Sequence, residues 1–133
     1  MSGAFDRLEL AAVFAGGVAG AIARAVVGEL LASGGPAWPW ATVAVNVAGA
    51  FALGYFATRL QERLPVSAYR RPLLGTGFCG ALTTFSTLQV ELLRMLDDGR
   101  AAQAFGYAAV SLVAGFAALA LATNLVRRAR LAP

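Results

Sequence analysis

Uncharged, mostly apolar positions fall in four blocks, Leu10 to Ala23, Leu30 to Thr58, Pro72 to Val90 and Ala101 to Val126, separated by short polar stretches. The last three are long enough to cross a bilayer as helices, which takes ~20 residues. The first reaches that length only by continuing through Arg24 and Glu29 to about Leu31. The pattern predicts helices at about 8–32, 38–58, 72–96 and 102–126 in one transmembrane domain covering 1–133. The fold class is therefore an all-α membrane protein with four transmembrane helices.

The connections are too short for an extramembrane domain. Ser33-Gly34-Gly35-Pro36 is a turn signal, Arg59 to Arg71 a polar link, and Asp97-Asp98-Gly99-Arg100 a tight acidic turn. Arg7 ahead of an apolar stretch is also the start of a signal-peptide pattern. The glycines of Gly16-Gly17-Val18-Ala19-Gly20-Ala21 and the closing Arg24 suit a cleavable segment poorly, whereas Gly16 and Gly20 at four-residue spacing suit close helix packing.

Composition narrows the function. Of 133 residues, 59% are hydrophobic and 14% charged, and mean hydropathy is +0.67, which excludes a soluble domain, a disordered tail and a disulfide scaffold. One cysteine, Cys79, and no histidine leave no thiolate–imidazole metal site and no Ser-His or Cys-His nucleophile. No catalysis is expected. All eleven basic residues are arginines, mostly beside apolar runs, where they anchor a membrane protein and do not signal nucleic acid. With four spans, Arg7, Arg59, Arg63, Arg70, Arg71, Arg127, Arg128 and Arg130 share one side and Arg94 and Arg100 the other, which favours cytoplasmic termini.

Polar residues inside the spans are the candidate chemistry. Arg24 costs ~2.5–3.5 kcal/mol in the first span unless it finds a partner or water. Glu29, five positions on, is poorly spaced for it, so either another helix or chain supplies the partner or the side chain snorkels. Asn46, mid-way along the second span, must face another helix or a wet cavity; as interhelical glue it would use the close approach that Gly49 permits.

Between Gly75 and Thr87 there are three glycines and five hydroxyl residues in thirteen positions. That density predicts a break within Gly77 to Thr84, whose freed carbonyls must be buried in protein or line a cavity; a kinked helix with back-bonded hydroxyls is the alternative. Phe85, Leu88 and Glu91 follow at three-residue spacing with Ser86 and Thr87 beside them, a pattern that reads as a polar conduit.

The segments Gly-Gly-Val-Ala-Gly-Ala-Ile-Ala-Arg (16–24), the second span with Asn46, Gly-Phe-Cys-Gly-Ala-Leu-Thr-Thr-Phe-Ser-Thr (77–87) with Glu91, and Tyr107 with Ser111 resemble, in order, the CrcB/Fluc family of small fluoride channels. The resemblance implies a fluoride-selective channel that passively exports cytoplasmic fluoride through the bacterial inner (plasma) membrane. It also implies an antiparallel, dual-topology homodimer with two pores. Asn46 matches the pore asparagine and Phe85 the first of two pore aromatics; the second position falls on Leu88, a departure that shifts weight to Ser86 and Thr87. The resemblance further implies a structural sodium ion at the dimer interface, held by main-chain carbonyls of Gly80 and Thr83 from both chains. Eight arginines against two sit uneasily with dual topology, so an oppositely oriented homologue is the alternative partner.

Two other functions compete. A proton-coupled multidrug transporter wants a carboxylate deep in the first span, where Leu10 to Ala23 has none. A membrane anchor has no use for a hydroxyl-rich broken helix.

Overall fold

The computed structural model describes residues 6–32, 38–62 and 68–129; the expected turn at Ser33-Gly34-Gly35-Pro36, Arg63 and Arg130 lie outside them. Every regular element among the described residues is helical. In order they are α1 (Arg7–Leu30), α2 (Trp40–Glu62), a π-helical segment (Pro72–Cys79) running into the short α3 (Gly80–Leu82), α4 (Phe85–Asp97) and α5 (Ala101–Arg128).

Helices α1, α5 and α2 over Trp40–Gln61 are each long and apolar enough to cross a membrane. Asp6 starts α1 by accepting the Leu8 N–H at 2.9 Å. At its other end α2 runs to Glu62 and not 58, because Arg59, Leu60, Gln61 and Glu62 are good helix formers. Arg59 also lies over the Tyr55 ring, 5.7 Å from its centroid, one turn back.

The third apolar block is not one regular helix. Pro72–Cys79 is wound with π geometry, then Thr83 (φ −79°, ψ 155°) and Thr84 (φ −145°, ψ 115°) are extended before α4 begins. Neither half reaches the ~20 residues that a spanning helix needs.

Missing side chains let α1 lie backbone to backbone on the π-helical segment. A Cβ on Gly16 would strike the Leu73 carbonyl oxygen, one on Gly20 the Phe78 carbonyl oxygen, and one on Gly77 would sit 2.5 Å from the Val13 carbonyl oxygen. This is the small-residue packing by which helices associate in lipid, where no hydrophobic force drives them together. On the other side α2 packs along α5, and α4 folds back on α5 through a glycine turn. Gly99 (φ +73°) ends α4 in a Schellman motif: its N–H reaches the Leu96 carbonyl at 2.9 Å and that of Arg100 the Met95 carbonyl at 2.8 Å.

The buried cluster of Val43, Leu88, Met95, Ala104 and Tyr107 joins α2, α4 and α5, with Trp38, Val47 and Leu92 around it. Outside, Phe14, Ile22, Phe105, Leu112 and Phe116 are exposed. An apolar exterior around polar interior contacts is the arrangement a bilayer requires.

Candidate functional site

Asn46 holds the break. Its Oδ1 accepts the Thr84 N–H at 2.7 Å and its Nδ2 donates to the Thr84 carbonyl at 3.0 Å. One side-chain amide thus satisfies both backbone groups of an extended residue, as a neighbouring strand would. Gly49, one turn along α2, makes room for Thr83: a Cβ there would strike Thr83 Cγ2. Thr83 in turn donates its N–H (3.1 Å) and its hydroxyl (3.0 Å) to the Cys79 carbonyl.

This arrangement releases the carbonyls at the break from α-helical bonding, those of Gly80 and Thr83 among them. In a continuous α-helix the Gly80 carbonyl would accept from the Thr84 N–H and the Thr83 carbonyl from the Thr87 N–H. Here Thr84 donates to Asn46, and Thr87 donates to the Thr84 hydroxyl at 3.2 Å. Gly80 is exposed and Thr83 half-buried. Among the described residues no three His, Cys, Asp or Glu gather around a metal position.

A row of hydroxyls starts α4. Thr84 caps the helix and donates its hydroxyl to Thr87 Oγ1 at 2.9 Å, with Ser86 Oγ at 3.4 Å. Because the Thr87 oxygen accepts here, its own O–H is left to point elsewhere, and both Ser86 and Thr87 are exposed.

Glu91 sits further along α4, its two carboxylate oxygens taken by Thr42 Oγ1 (2.8 Å) and the Tyr107 hydroxyl (2.6 Å). Tyr107 is 0% exposed and meets Trp38 edge-on at 5.6 Å. Ser111 Oγ, one turn beyond on α5, and Trp38 Nε1 are buried with no partner among the described residues, so hydrogen-bonding capacity is concentrated beside Tyr107. Tyr107→Phe removes a donor from a part-buried carboxylate. It is expected to cost about 1–3 kcal/mol, read as a lower melting temperature of the purified protein; an unchanged melting temperature would show that this bond carries no stability.

Arg24, Thr42, Thr84 and Thr87 line one cleft of about 130 Å³ between α1, α2 and the start of α4, and among the described residues no carboxylate lines it. Arg24 is half-buried and forms no ion pair among the described residues, whereas Arg100 pairs with Asp98 at 2.8 Å. With the Thr42 and Thr84 hydrogens spent on Glu91 and Thr87, the Arg24 guanidinium and the Thr87 O–H are the donors that this cleft offers an anion.

The Phe85, Leu88, Glu91 stripe separates in three dimensions. Phe85 is 69% exposed, whereas Leu88 is 8% exposed within the core cluster. A three-residue step on a helix drifts by about 60°, so the series turns from the protein surface into its interior. Two residues that matter were not singled out from sequence, Thr42 and Thr84. Thr42 had a signal, since it lies four positions before Asn46 on the same face of α2.

Against known proteins, residues 11–123 match the family model described as CrcB-like protein, Camphor Resistance (CrcB). The chain is 60% identical over 125 residues to the fluoride-specific ion channel FluC 1 of Mycolicibacterium paratuberculosis, covering 94% of this chain and 95% of the relative. It is 58% identical over 126 residues to FluC 1 of Mycobacterium tuberculosis, covering 95% and 96%. The FluC channel of Chlorobaculum tepidum is 41% identical over 115 residues, covering 86% and 91%.

Proposed function

Because the chain belongs to the CrcB family, matched over residues 11–123, we propose that it is a fluoride-selective membrane channel, as its relatives of up to 60% identity are named. It is not an enzyme. The observation that carries this reading is the carboxylate-free cleft of Arg24, Thr42, Thr84 and Thr87 beside the Asn46-held break.

Fluoride is small and strongly hydrated, so a pore must replace its water with hydrogen-bond donors. Asn46 keeps one amide hydrogen beyond its bond to Thr84, and the Thr87 and Ser86 hydroxyls and the Phe85 ring edge lie on the following helical turn. Arg24 raises the local anion concentration at the cleft. Glu91, Tyr107 and Ser111 extend the polar line, with both Glu91 oxygens occupied by donors so that the carboxylate repels the ion less. Leu88 serves the path from within the core, by packing the helix that presents Phe85 and Ser86.

The functional unit in this reading is an antiparallel homodimer with two pores, or a pair with an oppositely oriented homologue. Exposed Gly80 and Phe85 are the surface that a partner would cover. The Gly80 and Thr83 carbonyls of both chains would hold the structural sodium; when bound, it supplies fixed positive charge that draws the two breaks together. In the bacterial inner membrane, fluoride leaves the cytoplasm down its own gradient.

Planar-bilayer recording tests the function. Current reversing at the fluoride equilibrium potential, unmoved by a chloride or proton gradient, is expected; reversal that follows protons would restore the transporter reading.

Thr83→Ala tests the cation site. The carbonyl ligand survives while the hydroxyl bond to Cys79 and the Cγ2 contact with Gly49 are lost. Bound sodium, measured by elemental analysis of the purified dimer, is expected to stay at the wild-type ratio; its loss from an intact dimer would contradict main-chain ligation.

A further inference from the structure

A second cleft, of about 300 Å³, opens between the last turns of α2 and the start of the π-helical segment. One wall is the Leu53, Phe56, Ala57 and Leu60 face of α2, and Arg71 and Thr76 line the same space. Its volume is at the lower end of the ~300–1,000 Å³ typical of small-ligand sites.

Gly16, Gly20 and Gly77 each admit a neighbouring backbone, yet among the described residues a Cβ on Gly75 would meet nothing within 4 Å. Gly75 is itself one of the residues lining the cleft.

The cleft lies where the apolar run of α2 ends, at the arginine-rich end of the molecule that also holds Arg59 and Arg70. An apolar trough topped by a guanidinium and a hydroxyl, at the depth where hydrocarbon gives way to headgroups, matches one ligand chemistry: an acyl chain ending in a phosphodiester. Arginine suits that end because its planar fork can take two phosphate oxygens at once.

We propose that this cleft binds one anionic phospholipid per chain, its acyl chain along Leu53, Phe56 and Leu60 and its phosphodiester on Arg71 and Thr76. The site stands on the membrane placement of the helices alone and does not depend on which ion the protein conducts.

Native mass spectrometry of the full-length protein, released from micelles containing phosphatidylglycerol or phosphatidylcholine of matched chains, tests it. The wild type is expected to keep one phosphatidylglycerol per chain. Arg71→Gln should reduce the preference for phosphatidylglycerol over phosphatidylcholine about fivefold, the effect of one basic residue at an anionic lipid surface. Gly75→Leu, which fills the cleft, should expel both lipids, and Arg128→Gln, an equal loss of charge elsewhere, should change neither. If Gly75→Leu does not assemble, the comparison of Arg71→Gln with Arg128→Gln decides. The proposal is overturned by a wild-type chain that holds no phosphatidylglycerol, as when a second copy covers the cleft. Equal retention of the two lipids, equal behaviour of the two arginine variants, or displacement of the lipid by inorganic phosphate would overturn it as well.

Discussion

Asn46→Asp is expected to lower fluoride flux by about two orders of magnitude or more while the protein still assembles. Aspartate can still accept the Thr84 N–H, now 2.7 Å from Oδ1, but it cannot donate to the Thr84 carbonyl, now 3.0 Å from Nδ2. An oxygen facing an oxygen loosens the break, at about 1–3 kcal/mol for the unsatisfied group. The larger effect is on the ion. A like charge ~4 Å from fluoride at an effective dielectric of 20 costs about 4 kcal/mol, nearly three decades in occupancy. Flux from proteoliposomes, paired with gel filtration of the variant, checks both halves. Wild-type flux from an ionised aspartate would remove Asn46 from the ion path and leave it as interhelical glue.

Gly20→Leu is expected to leave almost no folded protein. Its Cβ would strike the Phe78 carbonyl oxygen and lie 3.0 Å from the Leu82 nitrogen, both of them backbone atoms that cannot turn aside. Overpacking commonly costs about 1–3 kcal/mol and exceeds that where backbones must separate. In lipid the separated helices gain no hydrophobic compensation. Gly17→Leu is the control, because a Cβ there meets nothing within 4 Å. A sharp gel-filtration peak for Gly17→Leu and its loss for Gly20→Leu is the expected pair; two sharp peaks would mean that α1 does not depend on this contact.

Apolar runs and small residues make much of the architecture legible in the sequence. The spans appear as uncharged blocks because lipid tolerates little else, and Gly16 with Gly20 announces a packed face because nothing larger fits between the backbones. The pairing of Asn46 with Gly49 pointed to close contact with another helix, and Gly49 does admit Thr83 next to the Asn46–Thr84 bonds. Other features depend on rotation and register, which composition does not encode. The π winding of Pro72–Cys79 leaves no periodic trace in eight residues. Leu88 belongs to the same three-residue series as Phe85, yet the drift of that series takes it into the core. Thr42 stands four positions before Asn46 in an apolar span, and only its bond to Glu91 across the fold gives it a role. Arg24 has no partner at a helical spacing; its neighbours are hydroxyls from α2 and α4, brought close only by the tertiary fold.

In the proposed reading this chain conducts fluoride passively. Purified protein in liposomes loaded with potassium fluoride, opened to potassium by valinomycin and followed with a fluoride electrode, tests it most directly. Fluoride should appear outside within seconds of adding valinomycin, while vesicles loaded with potassium chloride release no chloride and vesicles with Asn46→Asp stay near the protein-free baseline. Equal release of chloride, or no release of fluoride from liposomes shown to contain the assembled protein, would contradict the account.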